Sequence, residues 1–127
     1  ALQSAGIAPT DIIHVECDNH SEHSAKMTVE MLVQHPEVDG ILAMSDVIAI
    51  GALDAARELG RKVPNDLKVI GIDGIVAGER TDPPLSSVRQ DSVEKGRLAA
   101  EMALGEDAGR TIILDTGLLV RGSTKMA

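Results

Sequence analysis

Apolar and polar positions along this chain follow two periods in turn. Asp11-Ile12-Ile13-His14-Val15-Glu16 is a short β-branched run and predicts a strand. From Ser21 to Gln34 the apolar residues Ala25, Val29, Leu32 and Val33 recur at i, i+4, i+7 and i+8, one face of a helix. His35-Pro36 ends it, because the residue before a proline is pushed out of the helical region. Gly40-Ile41-Leu42-Ala43-Met44 is continuously apolar, the pattern of a strand covered on both faces. Ser45-Asp46 offers an N-cap to a helix striped by Ile48, Ala52, Ala55, Ala56 and Leu59 and closed at Gly60. Leu67 to Ile72 predicts a third strand. Ile75 to Arg80 predicts a short helix stopped by Asp82-Pro83-Pro84, and Leu85 to Gln90 an extended piece. Asp91 with Glu94 makes a capping-box pattern before a helix carrying Val93, Gly96, Ala100, Ala103 and Leu104. Thr111 to Leu114 and Leu118 to Arg121 read as extended, split around Gly117.

Strands alternating with helices of this length predict an α/β fold: a doubly wound, mainly parallel sheet flanked by helices on both faces. The 127 residues suit a single domain spanning 1–127, with no repeat, low-complexity tract or linker. Composition sharpens this. Apolar residues are 43% of the chain, but Phe, Tyr and Trp are all absent. The core must therefore be built from Leu, Ile, Val, Ala and Met, and no aromatic of this chain can stack on a ligand. Lys plus Arg number 12 against 20 for Asp plus Glu, a formal charge of -8, which repels nucleic-acid phosphates. No apolar run approaches the roughly 20 residues a membrane helix needs. A single cysteine, Cys17, excludes an internal disulfide. The chain opens on Ala1 without a signal-like stretch, so the natural start is expected to lie elsewhere, and the expected compartment is cytoplasmic.

Ligands of open α/β sheets bind beyond the carboxyl ends of the strands. Those ends carry Cys17, Asp18, Asn19 and His20, then Ser45 and Asp46, then Asp73 and Gly74, then Gln90. The set suits a hydroxyl- or amide-rich ligand, since Asp accepts bidentate hydrogen bonds and Asn and Gln both donate and accept. Several of these residues have structural alternatives. Asp46 and Ser21 also suit helix N-caps, Asp18-Asn19 a turn, and Gln90 a tie between strand and helix. Asp73, held at an apolar strand's tip before Gly74, favours function over structure. His20 and His23 are three apart but lack a third ligand at helical spacing, so no metal is expected. Cys17 has no partner motif and reads as a small buried hydrophobe. Gly71-Ile72-Asp73-Gly74 is neither a dinucleotide fingerprint nor a P-loop, and no Gly-x-Ser-x-Gly occurs. No cofactor is called for.

The run from Asp39 to Gln90 resembles the lactose-repressor (LacI/GalR) family. Asp39-Gly40-Ile41-Leu42-Ala43-Met44-Ser45-Asp46 is similar to the family's strand and turn, and Ala49-Ile50-Gly51-Ala52-Leu53 to its following helix. Val63-Pro64 before an acidic residue, and Val69-Ile70-Gly71-Ile72-Asp73, are similar to the next connection and strand end. Pro83-Pro84-Leu85-Ser86-Ser87-Val88-Arg89-Gln90 and Leu119-Val120-Arg121-Gly122-Ser123-Thr124 resemble its later signatures. The resemblance implies the carboxyl-terminal, periplasmic-binding-protein-like subdomain of a two-subdomain sensor. Its DNA-binding helix-turn-helix would lie in a missing amino-terminal part, the only route to DNA. A small effector, a sugar or other polar metabolite, would bind between subdomains and shift operator affinity through unequal affinity for two states. It further implies that Asp73, Ser45, Asp46, Gln90 and Asn19 face the effector. A homodimer would use Ile50, Leu53, Asp54, Arg57, Ala77, Arg80 and Thr81. Ile72 stands where the family has an aromatic, Ser45 where it often has Asn, and Asn19 near a position that stacks on sugars in some members; these departures leave the effector open.

Two other readings share some of these features. A secreted sugar-binding protein has the same fold, but the absence of a disulfide and the Pro-Pro-Leu segment lean away from it. A phosphoacceptor receiver would use Asp18, Asp46 and Asp73 around magnesium. It needs a lysine after a late strand, where Lys125 fits poorly, and paired acids after the first strand, where Glu16 and Asp18 straddle Cys17. The reading adopted is a binding module without catalysis.

Overall fold

The computed structural model describes residues 3–105 and 110–125 of the chain. After two 3-10 turns, Gln3–Ala5 and Pro9–Asp11, come α1 (Ser21–Gln34), β1 (Gly40–Leu42), α2 (Asp46–Glu58), β2 (Lys68–Asp73), α3 (Val76–Glu79), β3 (Ser86–Arg89), α4 (Ser92–Leu104) and β4 (Gly117–Leu119). The strands form one sheet in the order β1-β2-β3-β4. The first two pairings are parallel, with Ile41 opposite Val69 and Ile72 opposite Val88. The last is antiparallel, with Val88 opposite Leu118. The expected mainly parallel sheet with flanking helices is thus present.

Local chemistry explains the boundaries. α1 stops at Gln34, with His35 capping it ahead of Pro36. α2 starts where Ser45 Oγ accepts the Ile48 amide and ends where Gly60 takes φ 68°, the left-handed conformation glycine allows. α4 starts where Asp91 accepts the Glu94 amide. Ser21, expected as an N-cap, is instead the first residue of α1; His20 holds the cap position without a side-chain bond.

The core lies between the sheet and α2, with α1 packed on α2. Leu32, Ala43, Ala49, Ala52, Leu53, Ala56, Leu67, Val69 and Leu85 form it, with Met31, Val38, Ile41, Ile48, Ile50 and Val63 at its margin. Small side chains let the layers approach closely. Gly51 sits so near α1 that a Cβ there would collide with Ser24 and with the α1 backbone.

Four further expectations are corrected. Asp11 to Glu16 joins no ladder among the described residues. Ile13 and Val15 stay about 40% exposed, since a β-branched run without a neighbouring strand cannot satisfy its backbone as a ladder. Thr111 to Leu114 likewise joins none. The strand at Gly40 to Met44 is covered on one face only, for Leu42 and Met44 are 61% and 73% exposed. α2 packs on the face that carries Ile41 and Ala43, with α1 packed on α2. The other side presents Leu42, Met44, Leu118 and Val120, all exposed. Cys17 is half-buried and unpaired rather than buried.

Candidate functional site

The tips of β1, β2 and β3 lie side by side, because the three strands run parallel in register. At the tip of β2 the chain makes an unusual turn. Asp73 has φ 125° and Gly74 has φ 77°. A positive φ is costly for a residue with a Cβ, and such strain concentrates at functional sites. The turn is held from two sides. On the first, the Gln90 amide donates to the Asp73 carbonyl at 3.1 Å, and Gln90 Nε2 donates to Asp73 Oδ1 at 3.2 Å. Lys95 Nζ, from α4, donates to Gln90 Oε1 at 3.3 Å. A carboxylate only accepts and an ammonium only donates, so the two partners fix which way the Gln90 amide faces. A hollow of about 220 Å³ opens beside Gln90 and Lys95, walled also by Ile112, Leu114 and Asp115.

On the second side lies Asp46, which has no exposed surface. Its Oδ2 accepts the Ile75 amide at 2.7 Å and its Oδ1 accepts the Ser87 hydroxyl at 2.6 Å. Ser87 Oγ in turn accepts the Gly74 amide at 3.0 Å. Asp46 is the first residue of α2, where the positive end of the helix dipole favours a carboxylate. The sequence placed Asp46 against the effector. The structure corrects this, because both its oxygens are spent inside the protein. The same fact removes it from a receiver-type acid cluster.

Ser45 and Asn19 do come together. Ser45 Oγ donates to Asn19 Oδ1 at 2.6 Å and accepts the Ile48 amide at 3.2 Å. This ties the loop before α1 to the tip of β1. Ser45 is nearly buried and Asn19 exposed, so Asn19 is the more accessible of the two. Nearby, His23 Nδ1 lies 3.2 Å from Asp18 Oδ2, and His20 is exposed. Among the described residues no three His, Cys, Asp or Glu side chains group as metal ligands. A larger hollow of about 530 Å³ runs between α1 and α2 and shares no residue with the strand-end set.

The residues assigned to a dimer face divide. Asp54, Arg57, Ala77 and Arg80 are exposed, and Ile50 and Thr81 half-buried. Arg57 pairs with Asp54 at 2.7 Å and donates to the Asp82 carbonyl at 3.3 Å, joining α2 to the segment after α3. Thr81 Oγ1 lies within hydrogen-bonding distance of the Gly78 and Pro83 carbonyls. Leu53 is 3% exposed and belongs to the core, so it has no surface for a partner. Sequence reasoning missed Ser87 and Lys95. Ser86-Ser87 was visible as a motif, and strand alternation sends the two hydroxyls to opposite faces, but nothing local says which side meets Asp46.

Residues 1–124 match a family described as the periplasmic binding protein-like domain. The chain is 35% identical over 118 residues to the ribose operon repressor of Halalkalibacterium halodurans, covering 89% of this chain and 36% of that protein. It is 36% identical to the HTH-type transcriptional regulator CelR of Thermobifida fusca, over 97% of this chain and 38% of that one. It is 33% identical to the HTH-type transcriptional repressor CytR of Escherichia coli, over 98% and 38%. Among solved structures it resembles a LacI family transcriptional regulator from Arthrobacter sp. FB24 in complex with lactose. The TM-score is 0.84 at 35% identity, over 98% of this chain and 47% of that one. A CelR–cellobiose complex matches with TM-score 0.82 at 31% identity, over 96% and 39%. The chain therefore spans little more than a third of these curated relatives, and under half of these two structures.

Proposed function

We propose, since the chain belongs to the periplasmic binding protein-like domain family and its relatives are LacI-family regulators, that it is the effector-sensing and dimerisation module of a DNA-binding transcriptional regulator. The effector is a sugar or similarly hydroxyl-rich metabolite. It sits at the strand tips, against Asp73 and Gln90, with Asn19 and Ser45 alongside. DNA is reached through another part of the polypeptide, since this part is strongly acidic. The protein works in the cytoplasm and turns over no substrate.

The observation that carries the proposal is the turn at Asp73. A strained acidic residue, bonded to a Gln whose amide is itself oriented, offers acceptors and donors in fixed directions, which is what recognition of vicinal hydroxyls requires. Solved structures of relatives in complex with lactose and cellobiose match over nearly this whole chain. Effector occupancy then alters operator affinity only so far as it favours one arrangement of the sensor. In the dimer, α2 and α3 contribute Ile50, Asp54, Arg57, Ala77, Arg80 and Thr81.

Calorimetric titration of the intact regulator that contains this chain, with lactose, cellobiose and ribose as probes, tests the site. Asp73→Asn is expected to weaken binding of the responding sugar about tenfold or more while operator binding persists. Unchanged affinity in that variant would remove Asp73 from the site.

A further inference from the structure

We infer that Asp46 and Ser87 are positioning residues for Asp73: this buried pair imposes the strained turn that presents the Asp73 carboxylate, and neither touches the effector. The inference rests on the reading of Asp73 as an effector contact, and deepens it by naming what aims that side chain.

Several observations converge. The two amides that follow Asp73 are each captured by a fully buried acceptor: Gly74 by Ser87 Oγ at 3.0 Å, Ile75 by Asp46 Oδ2 at 2.7 Å. The polarity of this network is forced. A carboxylate cannot donate and an amide cannot accept, so the Ser87 proton must go to Asp46 and its lone pair to Gly74. The acceptors cannot drift, because Asp46 abuts the β2 backbone so closely that a Cβ on Gly71 would overlap its carboxylate. Gly74 is also tight against β3, since a Cβ there would lie 2.9 Å from Arg89 Cγ. Left to itself, Asp73 would relax to negative φ. Held between these bonds and the Gln90 amide on its own carbonyl, it stays at φ 125°. Asp46 is also the first residue of α2, so the aim of Asp73 is tied to the position of that helix.

The test is NMR on the intact regulator that contains this chain, with no ligand required. In the wild type the Gly74 and Ile75 amides are expected to exchange at least about 100-fold more slowly than open coil. Coil-like exchange at both would overturn the proposal. Ser87→Ala and Asp46→Asn are then expected to move the Asp73 Cα shift and one-bond Cα–Hα coupling to negative-φ values, and to shift the Gln90 side-chain amide pair. Ser87→Thr, which retains the hydroxyl, is expected to keep both signatures. A Ser87→Ala chain that keeps the α1 and α2 spectrum with an unchanged Asp73 signature would also overturn it. If neither disrupting variant folds, the wild-type exchange rates decide. The sugar titration above is a separate measurement: a wild type that shows the protected turn but binds no sugar would defeat the effector reading on which this inference rests, whereas sugar binding with a coil-like turn would defeat this inference alone.

Discussion

At the scale of the residue, one position of helix phase decides between two roles. Ser45-Asp46 reads as a capping pair, and either residue could hold the cap. Ser45 holds it, so Asp46 is the first helical residue and turns inward, about 100° further round the axis. That converts a candidate ligand contact into a buried carboxylate with two donors. Asp46→Ala should therefore cost about 2–4 kcal/mol in urea unfolding, because it strands the Ile75 amide and the Ser87 hydroxyl without an acceptor. A loss under half of that would show that the turn recovers its bonds elsewhere. Lys95 acts at the opposite edge. Lys95→Met should let the Gln90 amide rotate, weakening sugar binding by the intact regulator about two- to fivefold, while Lys95→Arg largely preserves it. Equal affinities in the two variants would deny Lys95 any hold on Gln90.

At the scale of the element, close approach governs what tolerates change. α1 and α2 meet at Gly51, where a methyl group would press on Ser24 and lie 2.8 Å from the Ala25 amide. Gly51→Ala should destabilise by more than about 2 kcal/mol despite its better helix propensity, because overpacking outweighs a preference of about 1 kcal/mol. A stability gain in chemical denaturation would show that the helices separate freely. The segment after β4 is fastened differently. Ser123 Oγ donates to the Val69 carbonyl at 2.6 Å and accepts the Ser86 amide at 2.8 Å, both buried. Ser123→Ala should cost about 2 kcal/mol, read as a shift in the urea midpoint at constant slope; no shift would mean that segment adds nothing to the sheet. α4 shows the converse. It has no buried residue, and Arg97 reaching both Glu94 and Glu101 supplies local support at helical spacing.

At the scale of the whole molecule, the strand order explains both the site and the open face. Strands advancing in one direction gather their tips along one edge, where Ser45, Asp73 and Gln90 stand, and collect α1 and α2 on one side. The proposed dimer belongs to this scale. Ala77→Glu combined with Arg57→Glu should shift sedimentation of the intact regulator from dimer to monomer with an unchanged circular dichroism spectrum. A variant still dimeric would move the interface away from α2 and α3.

By itself the sequence determined the elements from α1 to α4, their caps at Ser45 and Asp91, the breaks at Pro36 and Gly60, the parallel character of the sheet and the family. These follow from local period, cap chemistry and motif order, which are written along the chain. It also determined which polar residues fall at strand ends, so Asp73 and Gln90 were legible as partners in one place. Only the tertiary structure decided that Asp46 faces inward, that Leu53 belongs to the core rather than a partner surface, that Lys95 reaches Gln90, and that Asp11 to Glu16 stands without a ladder. Each of those depends on a neighbour distant in sequence. Asp46 needs Ser87 forty-one positions away, and a strand needs a second strand, so the hydrogen-bonding partner rather than the residue's own pattern settles the outcome.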